Sequence, residues 1–222
     1  MNAIRSKLLV LISVAMIGAL LITACAPVAS LHTSRDSSRR GQTGNPSNPP
    51  ASSAASNKIN PLVFQQAVRK LWEDHITWTR VYIIAAVAGL PETNTAAARL
   101  LQNQVDIGNA IKTFYGEPAG TQLTSLLKQH ILIAADLIAT AKAGDSAKIL
   151  ASSAQWYDNA NQIAAFLNGA NPKNWALSDM QDMMKMHLDL TLQEATARLK
   201  GDWSGDIAAY DKVHTEILGM AD

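Results

Sequence analysis

Leu71-Trp72-Glu73-Asp74-His75, Leu126-Leu127-Lys128-Gln129-His130 and Met183-Met184-Lys185-Met186-His187 align as three copies of one short pattern, each closed by a histidine. The segments that follow align as well: Asp106-Ile107-Gly108-Asn109, Asp158-Asn159-Ala160-Asn161 and Asp211-Lys212-Val213-His214, all reading Asp-x-x-(Asn or His). Self-similarity over such a period marks a supersecondary unit that buries its apolar face only against its neighbours. With the histidine on the first helix and the aspartate on the second, the unit is a helical hairpin. The expected fold is all-α, a six-helix bundle of three tandem hairpins.

Working outward from these segments, the chain is punctuated at regular intervals. Asn60-Pro61 is a helix start, because proline is tolerated at the first helical position. Gly89-Leu90-Pro91, Gly116-Glu117-Pro118, Ala143-Gly144-Asp145, Asn168 to Pro172, and Gly201 with Gly205 supply the breaks. Ser178 with Gln181 has the spacing of a capping box. No stretch shows sustained period-2 alternation of β-branched residues. The predicted helices run over 61–88, 93–115, 119–142, 145–168, 178–199 and 203–220.

Each of the three histidines lies on an apolar stripe. Val68, Leu71, Trp72, Trp78, Thr79 and Tyr82 flank His75, and Leu123, Leu126, Leu127, Ile133, Ala134 and Leu137 flank His130. Met180, Met183, Met184, Leu190 and Thr191 flank His187, with Glu194 one turn further on. Such stripes face a core. Asp211 and His214 share a stripe with Ile207, Ala208 and Leu218, and Asp158 lies among Ala151, Ala154 and Ala165. Asp106 lies beside Asn103, Asn109 and Thr113, the most polar of these faces. Counted from the hairpin turns, histidines and aspartates both sit at ~15–24 Å, given a rise of 1.5 Å per residue. They are expected to meet in one polar layer across the bundle.

Two readings of that layer stand. In the first, the layer binds a metal or small ligand, with His75, His130, His187, His214, Asp106, Asp158 and Asp211 as candidate ligands for a divalent transition metal, since bundles build such sites from inward carboxylates and imidazoles. In the second, His–Asp and His–Asn hydrogen bonds satisfy a buried structural network that fixes hairpin register. The glutamate-rich Glu-x-x-His pattern of di-iron bundles is absent. Enzyme signatures are absent too: there is no phosphate-binding Gly-x-x-x-x-Gly-Lys loop, no dinucleotide Gly-x-Gly-x-x-Gly and no His-Glu-x-x-His. Arg80 reads as an anion contact or a salt-bridge arginine. The tryptophans and the Met180–Met186 cluster read as core.

The first quarter of the chain has a different texture. Arg5 and Lys7 precede an apolar run from Leu8 to Ile22, too short to span a bilayer and suited to a secretory signal over residues 1–24. The run ends in Ile22-Thr23-Ala24-Cys25, which resembles the lipobox of bacterial lipoproteins. That resemblance implies lipidation of Cys25, removal of the signal, and an extracytoplasmic protein held to the cell membrane by its acyl chains. Residues 26–57 carry eight serines, four prolines and no aromatic residue, a composition expected to remain disordered as a tether of roughly 30 Å reach.

The 222 residues carry 19 basic and 18 acidic groups, a net charge of +1 that argues against a nucleic-acid partner. Split at residue 58, the total becomes a basic leader and a bundle with 14 basic and 17 acidic groups. A protein partner stays open. The single cysteine excludes an internal disulfide and, spent on the anchor, a cysteine nucleophile.

Residues 62–222 are similar to a family of small helical bacterial proteins from spore-forming species. The similarity is carried by Leu71-Trp72-Glu73-Asp74-His75-Ile76-Thr77-Trp78-Thr79-Arg80, by Asn103-Gln104-Val105-Asp106-Ile107-Gly108-Asn109 and by Tyr210-Asp211. Members sometimes carry glycosyltransferase or acetylglutamate kinase labels. This sequence has neither the alternating α/β pattern nor the nucleotide loop that those activities require. The resemblance implies a helical fold and no defined activity.

Overall fold

A computed structural model describes residues 60–222, so the expected signal segment, Cys25 and the tether lie outside the described residues. The described chain is all-α. Its helices are α1 (Pro61–Ala88), α2 (Thr93–Ala143), α3 (Ser146–Ala170), α4 (Leu177–Lys200) and α5 (Trp203–Ala221).

Local chemistry sets the ends. Asn60 Oδ1 accepts from Leu62 N at 3.0 Å ahead of Pro61, and Asp145 and Asp202 cap α3 and α5 by accepting from Lys148 N and Gly205 N. Helices α1, α2 and α4 stop at Gly89, Gly144 and Gly201, each in left-handed backbone geometry. The capping-box reading of Ser178 is corrected. Helix α4 begins one residue earlier, with Ala176 at the cap position, so Ser178 falls inside the first turn and donates to Asp179 Oδ1 instead.

The stretches 93–115 and 119–142 run as one element, α2, two helical arms that meet at a kink on a single non-helical residue. That residue is Gly116 (φ 84°, ψ 167°), with Pro118 just beyond. The bend is sharp. In a straight helix Gly108 and Gly120 would lie ~18 Å apart. Here a Cβ built on Gly108 would stand 2.7 Å from the Gly120 carbonyl oxygen, and one on Gly120 would stand 2.5 Å from the Gly108 oxygen. Helix α2 therefore folds back on itself, and only glycine permits the contact. Gly108→Ala should destabilise the fold by about 1–3 kcal/mol through overpacking. Gly169→Ala, on a helix with nothing near its added Cβ, should be neutral or stabilising by about 0.5–1 kcal/mol. Urea denaturation of the two variants checks the pair.

Helices adjacent in sequence pack together, and α1 closes the ring against α4 and α5. One cluster of buried residues joins α2, α3 and α4 through Leu123, Leu127, Trp156, Ile163, Met184 and Leu188. A second joins α1 to α5 through Ile76, Val213 and Ile217. By length and composition α2 could cross a membrane, but its Leu123, Leu127, Ile131, Leu137 and Ile138 are buried within the bundle.

Candidate functional site

His75 on α1, His130 on the second arm of α2 and His187 on α4 are all buried, and the His187 ring neighbours the other two. The His187 centroid lies 5.8 Å from that of His75 and 6.2 Å from that of His130. Eight residues further along each helix, Ile83, Ile138 and Ala195 form another three-way cluster. The three histidine-bearing segments therefore run parallel and in register.

Each imidazole is held by the following helical segment, 29 residues on. His75 Nδ1 lies 3.1 Å from Gln104 Nε2, His130 Nδ1 lies 2.9 Å from Asn159 Oδ1, and His187 Nδ1 lies 3.1 Å from Glu216 Oε2. Gln104 Nε2 also donates to Leu100 O at 2.8 Å and to Asn103 Oδ1 at 3.1 Å. The partners are fixed in turn: Asn103 Nδ2 donates to Leu71 O at 2.9 Å and Asn159 Nδ2 to Leu126 O at 3.2 Å, the carbonyls one turn before His75 and His130. Because Asn159 spends its amide N–H there, its oxygen faces the ring and His130 Nδ1 is the donor. Likewise His187 Nδ1 donates to the Glu216 carboxylate. No hydrogen bond among the described residues engages the Nε2 of any of the three rings.

Those rings line a cavity of about 120 Å³, room for several waters by the usual one-water threshold of roughly 10–15 Å³. Its next layer is Thr79, Ala134 and Thr191, one turn beyond the histidines, followed by Ile83, Ile138 and Ala195. Thr79 and Thr191 each donate their hydroxyl to the carbonyl of the histidine one turn back, both at 2.8 Å. Burial, then the neighbouring His187 and His130, hold His75 well below the usual imidazole range; the same burial, then His187, push His130 down to about 3. Both rings are neutral at pH 7. Trp156 packs on His130 at 5.2 Å, and its buried indole N–H has no acceptor among the described residues.

The other candidates lie elsewhere. Asp106 is partly exposed, accepts from Gln102 and faces Arg99. Asp158 is exposed and accepts from Gln162. Asp211 is exposed on a wide groove between α4 and α5. His214 is partly exposed, with Nε2 3.5 Å from Glu73 Oε1. The expectation that the aspartates join the histidine layer is corrected: they sit on outward faces, and the layer takes Gln104, Asn159 and Glu216 instead. As arranged, no three His, Cys, Asp or Glu side chains among the described residues already stand at metal-holding separation.

Beside the pouch lies a buried charge cluster. Arg80 Nη1 donates to Glu194 Oε1 at 2.7 Å and to Asp206 Oδ1 at 2.8 Å, and Nη2 to Asp206 Oδ2 at 3.1 Å. Arg198 donates to the same Asp206 oxygen at 3.1 Å. Both carboxylates are buried, and Glu194 Oε2 has no partner among the described residues. Burial pushes Glu194 up to about 7 against the opposing pull of Arg80. Arg80 is thus an internal salt-bridge arginine, its guanidinium 4.7 Å from the centre of the Tyr210 ring.

Comparison of the chain with family models, with curated proteins and with solved structures gave no match.

Proposed function

We propose that this is a lipid-anchored, extracytoplasmic protein of three tandem helical hairpins whose histidine layer binds a divalent transition ion through His75, His130 and His187. The observation that carries the metal reading is the division of labour on each ring. Every Nδ1 is tied to a partner on the next helical segment, no Nε2 has a hydrogen bond among the described residues, and the three residues line one cavity. Metal-binding histidines donate one ring N–H to a carboxylate, carbonyl or amide oxygen and leave the other nitrogen for the ion. His130 and His187 are set in this way, whereas His75 Nδ1 accepts from Gln104 Nε2 and its Nε2 proton must leave for an ion to bind. Three imidazoles with no thiolate suit zinc or copper. A tetrahedral set at metal–nitrogen distances of ~2.0–2.1 Å needs rings closer than the 5.8 and 6.2 Å that separate His187 from His75 and His130, so binding requires the rings to move together. The tandem reading is supported by the common spacing of 29 between each histidine and its partner and by the fold-back at Gly116. Anchoring rests on Ile22-Thr23-Ala24-Cys25.

Titration of the detergent-solubilised full chain with Zn²⁺ tests the reading. One ion per chain is expected, with a gain of about 3 kcal/mol in stability at a hundredfold excess over Kd. His187→Ala should abolish uptake and Asp211→Ala should leave it intact. Absence of uptake sinks the metal reading. The hydrogen bonds at each Nδ1 favour the second reading, a structural polar core. There His130→Ala costs about 1–3 kcal/mol through the stranded Asn159 amide, whatever metal is present.

A further inference from the structure

The cavity beside the histidines has two unlike ends. Every cavity residue on α1, on the second arm of α2 and on α4 lies at or beyond the histidine in sequence, so the three histidines close one end. Behind them the bundle is packed by Leu123, Leu127, Met184 and Leu188. Trp156 lines the same end, its ring 5.2 Å from that of His130. Beyond the layer of Thr79, Ala134 and Thr191 the walls turn apolar at Ile83, Ile138 and Ala195. At the far end Ala141 and Leu199 are half-buried and Thr196 is exposed, which sets the mouth of the pouch away from the histidines. We infer that the pouch binds a small neutral molecule of roughly phenol's size, an apolar body whose single hydroxyl is seated at the histidine end. This site does not rest on the metal reading, because its walls lie beyond the histidine layer.

Size, polarity and charge select that occupant. An apolar cavity of ~150 Å³ holds benzene, and this one, at about 120 Å³, admits one small ring or a short branched chain. Water suits the apolar portion poorly, because a buried water needs about two to four polar partners and Ile83, Ile138 and Ala195 offer no polar side-chain atom. At the closed end the requirement is different. The indole N–H of Trp156 is buried with no acceptor among the described residues, and an unpaired buried donor is costly. Thr79 and Thr191 commit their hydroxyl hydrogens to the carbonyls of His75 and His187, so their oxygens have only lone pairs left to offer. That end calls for one acceptor and one donor, and a hydroxyl is both. A charged head is refused. No acidic, lysine or arginine side chain among the described residues lines the pouch, and burial keeps His75 and His130 uncharged at pH 7.

Phenol is the probe, followed by nuclear magnetic resonance of the detergent-solubilised full chain, with chelator present so that no metal contributes. The chain has five tryptophans, so ¹⁵N-labelled indoles give five N–H resonances, and Trp156→Phe identifies that of Trp156 by its loss. Phenol should shift the Trp156 resonance saturably while the other four move little. Toluene has the same ring without the hydroxyl, and a purely apolar cavity prefers it because phenol gives up the hydration of its head. Here toluene should bind about tenfold more weakly at equal free concentration, the equivalent of one hydrogen bond. Ala195→Leu, which fills the apolar portion, should weaken the phenol response about tenfold or more. Retention of the other indole resonances reports that the variant is folded; should they be lost, Ala134→Leu serves in its place, and the phenol–toluene comparison on the parent chain decides without either. A Trp156 resonance that ignores phenol, or moves only in step with the other four, overturns the site. A response unchanged in the filled variant also overturns it. Toluene bound as tightly as phenol overturns the hydroxyl seat. None of these outcomes bears on the Zn²⁺ titration, so the two readings fail separately.

Discussion

Arg80→Ala is expected to destabilise the protein by about 3–5 kcal/mol, the cost of stranding buried charge. Among the described residues Arg80 is the sole hydrogen-bond partner of Glu194, and it bonds Asp206 with both terminal nitrogens. Asp206 keeps Arg198, so most of the penalty falls on Glu194, which has no exposed surface and already carries one unpaired oxygen. Glu194 has an escape, because a carboxyl pushed up to about 7 with its arginine present takes a proton still more readily without it. The loss should therefore be larger at pH 8 than at pH 6. Arg69→Ala is the control. Its partner Asp222 is half-exposed, and exposed pairs contribute about 0–1 kcal/mol. Urea unfolding at the two pH values reads all three numbers, and equal losses for Arg80→Ala and Arg69→Ala would contradict a buried network.

Much of this architecture was legible in the sequence because helices announce their ends. Asn60-Pro61, Asp145 and Gly201-Asp202 each set a boundary within a residue or two, since caps and left-handed glycines act locally. Gly116-Glu117-Pro118 gave the right position for a break, but not its tightness; the close approach of Gly108 to Gly120 depends on how the two arms pack. The histidine trio was legible as well, through its repeated context. Its partners were not. Alignment on residue identity favours Asp106, Asp158 and Asp211, which lie 31, 28 and 24 positions after their histidines. The bonds need a common height and face, and the residues that meet this at 29 are chemically unlike: Gln104, Asn159 and Glu216. An imidazole nitrogen either donates or accepts, so an amide and a carboxylate serve equally well and residue identity drifts. At ~100° per residue, the aspartates are turned about 200°, 100° and 140° from those partners, which points them outward. A constant interval to any polar residue was the signal to follow.

The same buried groups give the metal-free protein a stability maximum near pH 6.5. His75 and His130 are held neutral in the fold, whereas in the unfolded chain each takes a proton below its ordinary value of 6.5. The unfolded state then binds more protons, so stability falls with falling pH, each histidine contributing about 1.4 kcal/mol per pH unit. Glu194 works in the opposite sense. Between its unfolded value of 4.5 and its folded value of about 7 the native state holds the extra proton, and lowering the pH stabilises it. From pH 7 to 6.5 Glu194 acts alone and stability rises slightly. From 6.5 to 4.5 two histidines oppose one carboxyl, leaving a net decline of about 1.4 kcal/mol per unit. Below 4.5 Glu194 is protonated in both states, so its opposition ends and the decline steepens; Glu117, and below 3.8 Asp189 and Asp206, add to it because their carboxyls are held below their ordinary values in the fold. Glu216 and His187 complete the layer, and the Arg80 cluster is the other buried charge beside it. Urea titrations in the presence of chelator, stepped through this range, should trace the three slopes. Glu194→Gln should remove the upper shoulder and bring the steeper slope up to pH 6.5, whereas His130→Gln should flatten the middle segment almost to zero. A middle slope unmoved by either variant would mean that these buried groups do not control the acid limb.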